Sequence, residues 1–178
     1  TGPRMVVRMF GGFDYAETDA LHKNLVAIGY EKGVPMGGEL TNAPNAKAPT
    51  FLVSALKDPD GANLDRVQIV KGWLDADGEV HETVYDVAVS DGRKIVDGKA
   101  DKPVGSTVNL ETATYTNASG EVQLVAGWTD PDFNPLVTAF YYTRVIEIPT
   151  PRWPVFDEVR FGIKMGAEVK RVLQERAY

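Results

Sequence analysis

Cysteine is absent from this chain, and histidine occurs only twice, at His22 and His81. Without cysteine there can be no disulfide, no thiolate zinc site and no thiol nucleophile. Two histidines with no shared metal-binding spacing give little support for a transition-metal centre, and each reads as a surface or boundary residue. No Gly-x-Ser-x-Gly elbow is present, although counting residues does not exclude a Ser-His-Asp triad. Neither a phosphate-cradling Gly-x-x-x-x-Gly-Lys loop nor a dinucleotide fingerprint occurs. A basic run is missing too, and with a formal charge of −6 this argues against a nucleic-acid partner. Apolar stretches all fall short of the roughly 20 residues that span a bilayer.

What remains is ordinary globular material. The 178 residues are 43% hydrophobic and 25% charged, enough for one cored domain or one domain with an appendage. The chain starts Thr1-Gly2-Pro3-Arg4 without an initiator Met, which reads as a piece of a longer protein. The absence of cysteine is compatible with either periplasm or cytoplasm, and nothing in the sequence sets the oligomeric state.

One phrase occurs twice: Val67-Gln68-Ile69-Val70-Lys71-Gly72-Trp73-Leu74-Asp75-Ala76-Asp77 is echoed by Val122-Gln123-Leu124-Val125-Ala126-Gly127-Trp128-Thr129-Asp130-Pro131-Asp132. Each copy reads as strand, glycine, tryptophan and acidic turn. A single echo is too little for a solenoid, so two hairpins built alike are expected. Gly72 and Gly127 should face away from the tryptophans, where something approaches the backbone closely. Trp73 and Trp128 are expected as core plugs at the sheet ends.

The rest of the chain is mostly strands. Arg4 to Phe10 is apolar and bounded by glycine and proline. Thr18 is a candidate N-cap, and Leu21, Leu25 and Ile28 share one helical face, predicting a helix over about 19–32 that Gly33 stops. Thr50 to Leu56 is apolar on both faces. Val67 to Leu74 and Val80 to Ser90 flank Asp77-Gly78, a two-residue hairpin signal. In the second arm Tyr85, Val87 and Val89 alternate with Glu82, Asp86 and Ser90, leaving one face wet. Val108 to Thr116 reads as a strand near an edge, and Leu136 to Ile148 as a central one. Ala167 to Ala177 carries helical spacing at Val169, Val172 and Leu173. About seven or eight short strands predict a mainly β chain, an antiparallel β-sandwich, immunoglobulin-like or similar, with one helix in the N-terminal half and one at the C-terminus. The expected division is a sandwich over 1–152 and a helical extension over 153–178.

Three groups of residues are candidate sites. Asp58, Asp60, Asn63 and Asp65 offer oxygen ligands for a hard cation such as Ca²⁺, yet lack the downstream Glu of an EF-hand and equally suit a self-capping turn. The pairs Asp75/Asp77 and Asp130/Asp132 read the same way. Glu147, Arg152 and Trp153 flank a proline-stiffened strand exit, to be read as a ligand or domain contact or, more simply, as an ion pair with a core anchor. Met36 and Glu39 lie in Gly33 to Glu39, a constrained loop suited to a rigid lid or only to its own turn.

Several longer phrases carry a resemblance. Thr1-Gly2-Pro3-Arg4, Gly33-Val34-Pro35-Met36-Gly37-Gly38, Lys47-Ala48-Pro49-Thr50-Phe51, Gly61-Ala62-Asn63-Leu64-Asp65, Ile148-Pro149-Thr150-Pro151-Arg152-Trp153 and Gln174-Glu175-Arg176-Ala177-Tyr178 resemble the C-terminal part of a large bacterial family of unknown function. That family is related to the polymerase-and-histidinol-phosphatase (PHP) metallohydrolases and has carbaryl hydrolase-like relatives. The resemblance implies that metal-binding histidines and aspartates lie in a barrel-like domain upstream of Thr1, so no catalytic residue, metal ligand or cofactor is assigned within this chain.

Two functions follow as expectations. The first is a non-catalytic β-rich domain packing on its own upstream hydrolase domain, a phosphoesterase or ester/amide hydrolase that holds a divalent metal, with Gly33 to Glu39 and Arg152-Trp153 facing the active-site mouth. The second is a stand-alone carbohydrate- or protein-binding module whose platform is Trp73, Trp128, Trp153 and the pair Tyr141-Tyr142.

Overall fold

A computed structural model describes residues 2–178 and places Thr1 of the first resemblance phrase outside the described residues. Twelve strands run in chain order: β1 (Val6–Gly12), β2 (Val34–Pro35), β3 (Thr50–Leu56), β4 (Leu64–Leu74), β5 (Val80–Val89), β6 (Ile95–Val96), β7 (Lys99–Ala100), β8 (Gln123–Thr129), β9 (Ala139–Glu147), β10 (Thr150–Pro151), β11 (Val172–Leu173) and β12 (Arg176–Ala177). Two α-helices, α1 (Leu25–Lys32) and α2 (Trp153–Phe161), complete the regular structure with two short 3₁₀ turns. The chain is mainly β, and its strand pairs are antiparallel.

Two four-stranded sheets form a sandwich. One has the order β2-β1-β3-β8 and the other β12-β9-β4-β5. Period-two alternation explains what lies between them. Phe51, Val53 and Ala55 of β3 and Met9 of β1 face Val67 and Ile69 of β4 and Val145 of β9, all buried in one cluster. Leu52 points the other way, into a second cluster with Phe10, Tyr15 and Ala20 that Leu25, Val26 and Ile28 of the helical segment cover. The first sheet is therefore a middle layer, and this is why β3 reads as apolar on both faces.

The helix predicted over 19–32 is split. A 3₁₀ turn over Glu17–Leu21 ends at His22, and α1 starts afresh with the Asn24 side chain accepting from Ala27 N at 3.2 Å. Ala16, not Thr18, precedes the first turn. Three residues per turn instead of 3.6 rotate Leu21 away from Leu25 and Ile28, and Leu21 is exposed.

The echoed phrases also part company. The first copy makes the expected hairpin, but through a longer loop: Gly78 N donates to Asp75 O and Asp75 N to Glu79 O, both at 3.1 Å, with φ of +81° at Gly78 alone. The second copy makes no hairpin. Its strand β8 pairs with β3 in one sheet while the following β9 pairs with β4 in the other. The glycine reading holds in both copies, since a Cβ on Gly72 would meet the Phe140 ring and one on Gly127 the backbone of Glu17.

Three further expectations are corrected. Val108 to Thr116 forms no strand, because Asn109 Oδ1 accepts from Glu111 N and Thr112 N and curls the chain into a turn closed by an Asn109–Thr114 bridge. Asp86, placed on the wet face of β5, is buried under the β6–β7 hairpin and accepts from Gln68 Nε2 at 2.6 Å and Ala100 N at 2.8 Å. Ala167 to Ala177 is not helical. It returns along the sandwich to pair as β11 with β10 and as β12 with β9, so strand pairing overrides the helical spacing. The C-terminal helix is instead α2, ended by Gly162 at φ +65°.

Candidate functional site

At one end of the sandwich the inward positions stop being aliphatic. After Ile69, β4 sends Lys71 and Trp73 toward the middle sheet, and the neighbouring strands add Tyr85, opposite Ile69, and Tyr141, opposite Lys71. The loop from Asp130 to Val137 closes over them. Between loop and strands lies an open cleft of about 390 Å³, within the range of roughly 300–1,000 Å³ usual for small-molecule sites.

Lys71 forms the floor of the cleft and is 5% exposed. Its Nζ donates to Asp130 Oδ2 at 2.6 Å and to the backbone oxygen of Asp132 at 2.7 Å. The ammonium also lies 5.4 Å from the Trp73 ring centre and 5.9 Å from that of Tyr141. Asp130 Oδ2 accepts a second bond, from Tyr141 OH at 2.6 Å, and Tyr85 OH donates to Asp132 Oδ2 at 2.6 Å. Burial, reinforced by these carboxylates, pushes both tyrosine hydroxyls well above their ordinary range, so both stay protonated donors. On its far side Trp73 stacks on His81, ring centres 5.2 Å apart, and His81 Nε2 lies 2.7 Å from Asp75 Oδ2. That bond to His81 is the first reason the Asp75 carboxyl is held below its usual value.

The sequence did flag Trp73 and Tyr141, but not for the same site as Lys71, Tyr85 and Asp130. A signal was present: Lys71 shares strand parity with Ile69 and Trp73, and a lone lysine at an inward position needs a buried acid. The acid comes from the other copy of the echo. Asp130 and Asp132 do make the expected turn, through Asp132 N to Asp130 Oδ1 at 2.9 Å, and they also hold the lysine.

The remaining candidates do not converge. Trp128 packs between Phe51 and Tyr85, Tyr142 lies on the outer face beside Phe140, and Trp153 opens α2, so these aromatics do not form one platform. In the acidic loop Asp58 accepts from Arg4 N at 2.7 Å and, with Asp60, pairs the Arg4 guanidinium. Arg4 N is the leading cause of the lowered Asp58 carboxyl. Asn63 donates to Ser119 and Gly120 carbonyls, and Asp65 is fully buried against Arg93 at 2.5 Å. The backbone oxygens of Asp58, Pro59 and Gly61 are turned on the ammonium of Lys57, at 2.8, 3.4 and 2.8 Å. The loop does cradle a cation, and that cation is the chain's own lysine. Among the described residues no group of three or more His, Asp or Glu side chains is arranged to hold a metal ion.

Glu147, at the end of β9, is 2% exposed, and its Oε1 has no hydrogen-bond partner. Burial first, then Glu175 and Asp58, push its carboxyl up to about 7 against the opposing pull of Lys57. The anticipated ion pair with Arg152 and core anchor at Trp153 are not formed. Arg152 N donates to Arg171 O, and Trp153 is 59% exposed on α2. Met36 follows β2 at the edge of the middle sheet, with its N bonded to Met9 O, and Glu39 is exposed beyond it. These two sit on a different element from Arg152 and Trp153.

No curated protein and no solved structure matches this chain. One family model does, described as "Protein of unknown function (DUF3604)", and it spans residues 1–178. Over its whole length, then, the chain belongs to the DUF3604 family.

Proposed function

We propose that this chain is a non-catalytic β-rich domain that packs on the catalytic domain of a bacterial, PHP-like metal-dependent hydrolase acting on phosphate, ester or amide bonds. The observation that carries the reading is the outward face of α2. Pro154 and Val155 anchor the helix to the sandwich, while Trp153, Phe156 and Val159, followed by Ile163, are exposed along one side at helical spacing. An exposed aromatic face of this kind is a contact surface for another folded body. Arg152 and Trp153 lie at its leading end, as the domain-facing reading of those residues requires. Asp130 behind the cleft and Asp58, Asp60 and Asp65 of the 58–65 loop are paired with the chain's own Lys71, Arg4 and Arg93, which fits a supporting role.

The test compares the full-length protein with this chain. The reading expects a His-x-His motif with further His and Asp ligands upstream of residue 1, and bound metal and hydrolysis in the full-length protein only. Ser at Trp153 and Phe156 should lower the melting temperature of the full-length protein more than that of the isolated chain. Hydrolysis by the isolated chain, or an upstream sequence without those ligands, overturns it.

A further inference from the structure

We infer that a second cleft, on the outer face of the middle sheet, binds a phosphate monoester whose organic group is small and apolar. This goes beyond the packing role proposed above and does not rest on it, since no α2 residue lines this cleft.

The cleft arises where the helical cover runs out. On the face of the middle sheet turned away from the sandwich, Phe10 and Leu52 lie under the 17–32 segment. Two residues further along each strand, alternation brings Arg8, Ser54 and Val125 to that same face in one paired row, with Gln123 in the next. The break between the 3₁₀ turn and α1 passes over this row. His22, Lys23 and Asn24 therefore form the opposite wall, where a continuous helix would have turned some of them away. The space between the walls is open to solvent and measures about 420 Å³.

Charge selects an anion. Arg8 and Lys23 bring two positive charges to the lining, and no carboxylate lines it with them. Both cations are exposed, and neither has a hydrogen bond or ion pair among the described residues. The acids nearest in the 17–32 segment are committed elsewhere: Asp19 holds Lys32 at 2.7 Å, and Glu17 accepts from Thr129 N at 3.2 Å. This is the reverse of the first cleft, where Asp130 matches Lys71. In a chain of formal charge −6, two unmatched cations sharing one concavity favour a negative ligand there.

The neutral donors narrow the anion. Asn24 N donates to His22 Nδ1 at 3.1 Å, so the ring proton sits on Nε2, which is left as a donor. Asn24 spends its side-chain oxygen on Ala27 N at 3.2 Å and keeps its amide N–H groups. The Ser54 hydroxyl adds a donor from the sheet side. Together with the Arg8 fork and the Lys23 ammonium, these exceed the about four lone-pair positions of a carboxylate and suit the three terminal oxygens of a phosphoryl group. The charges agree. A phosphate monoester carries about −1.5 to −2 near neutral pH and matches both cations, whereas a carboxylate leaves one unmatched. Leu25, Val26 and Val125 complete the lining with half-buried apolar surface, where a small organic group gains by leaving water.

The experiment follows backbone amide shifts of the whole chain by NMR, near neutral pH and at low salt, during titration with phenyl phosphate, inorganic phosphate and benzoate. Phenyl phosphate should bind and move the amides of residues 20–26, Ser54 and Val125. Benzoate and inorganic phosphate should each bind more weakly, one lacking the second charge and the other the apolar group. Arg8→Gln and Lys23→Gln should each weaken phenyl phosphate by about tenfold, the size of one lost charge-assisted contact. Both positions are exposed, so both variants should fold. Lys102→Gln, at an exposed lysine outside the cleft, should leave binding unchanged. The inference fails if phenyl phosphate does not bind, if the shifts fall outside the cleft, if benzoate or inorganic phosphate binds as tightly, or if binding survives Arg8→Gln and Lys23→Gln at wild-type strength.

Discussion

Lys71 and Asp130 show how a single side chain can tie together sheets that the backbone keeps apart. Their side chains are 6% and 0% exposed, so neither charge has water to fall back on. Breaking such a pair from one side costs about 3–5 kcal/mol, while replacing both partners with neutral groups costs much less. Lys71→Met should therefore lower the unfolding free energy in urea by about 3 kcal/mol, and Lys71→Met with Asp130→Asn should recover part of that loss. Additive losses in the double variant would show that the pair is not coupled. Glu147 makes the opposite case, a buried carboxyl that gains nothing from ionising. Below pH 4.5 it is protonated in folded and unfolded chains alike. Between that value and about 7 the unfolded chain releases the proton and the folded chain keeps it, so this group's contribution to stability falls as pH rises and levels off above the window. The span corresponds to about 3 kcal/mol. Subtracting a Glu147→Gln melting series from wild type across pH 4–8 should reveal that falling difference, and a flat one would contradict the burial argument.

Among the elements, the two echoed glycines look alike in sequence and differ in what opposes them. Gly72 faces the exposed ring of Phe140, which can swing aside, whereas Gly127 faces the main chain of Glu17, which is fixed by its own turn. Alanine at 72 should cost about 1 kcal/mol and at 127 about 3 kcal/mol, the two ends of the overpacking range. Equal losses in denaturant melts would refute the distinction. Those glycines were legible because a strand glycine implies close approach, while what approaches is set by residues far along the chain. The same limit explains the errors elsewhere. Ala167 to Ala177 has helical spacing, but the open edge of β9 offers a ladder that local periodicity cannot reveal. The run from Val108 carries β-prone threonines, yet Asn109 closes a turn within three residues. Val67–Leu74, Thr50–Leu56 and the sandwich itself could be read because alternation, or its absence, reports burial directly. Trp73 and Tyr141 were visible as aromatics. Their meeting with Lys71, Tyr85 and Asp132 depends on which strands pair and on a loop crossing between sheets, and no local pattern encodes that.

For the whole molecule, the return of the C-terminus decides how much of the second sheet's flank is open. β12 covers β9, Gln174 donates to Asp65 and to the Glu147 carbonyl at 2.8 Å each, and Glu147 N donates to Glu175 O. Ending the chain after Lys170 removes all of these bonds and uncovers the Val145–Glu147 end of β9, so that its unpaired edge runs the full length of the strand. Such an edge invites pairing with another copy. The truncated chain should melt at a lower temperature and elute from size exclusion as concentration-dependent oligomers. Unchanged melting and elution would show that the last strand is dispensable.

The buried lysine has a consequence for how the chain finds its pairing. Side chains on β4 alternate between the inside of the sandwich and its outer face, so slipping β4 by one residue against β9 would turn every one of them over. Aliphatic neighbours tolerate that exchange reasonably well, since Val70 on the outer face is itself buried. Lys71 does not, because a slipped strand carries its ammonium away from Asp130 and leaves that carboxylate sealed without its counter-charge. One lysine thus acts as a gauge of alignment, making the misaligned sandwich costly at a strand where hydrophobicity alone distinguishes poorly between the two arrangements.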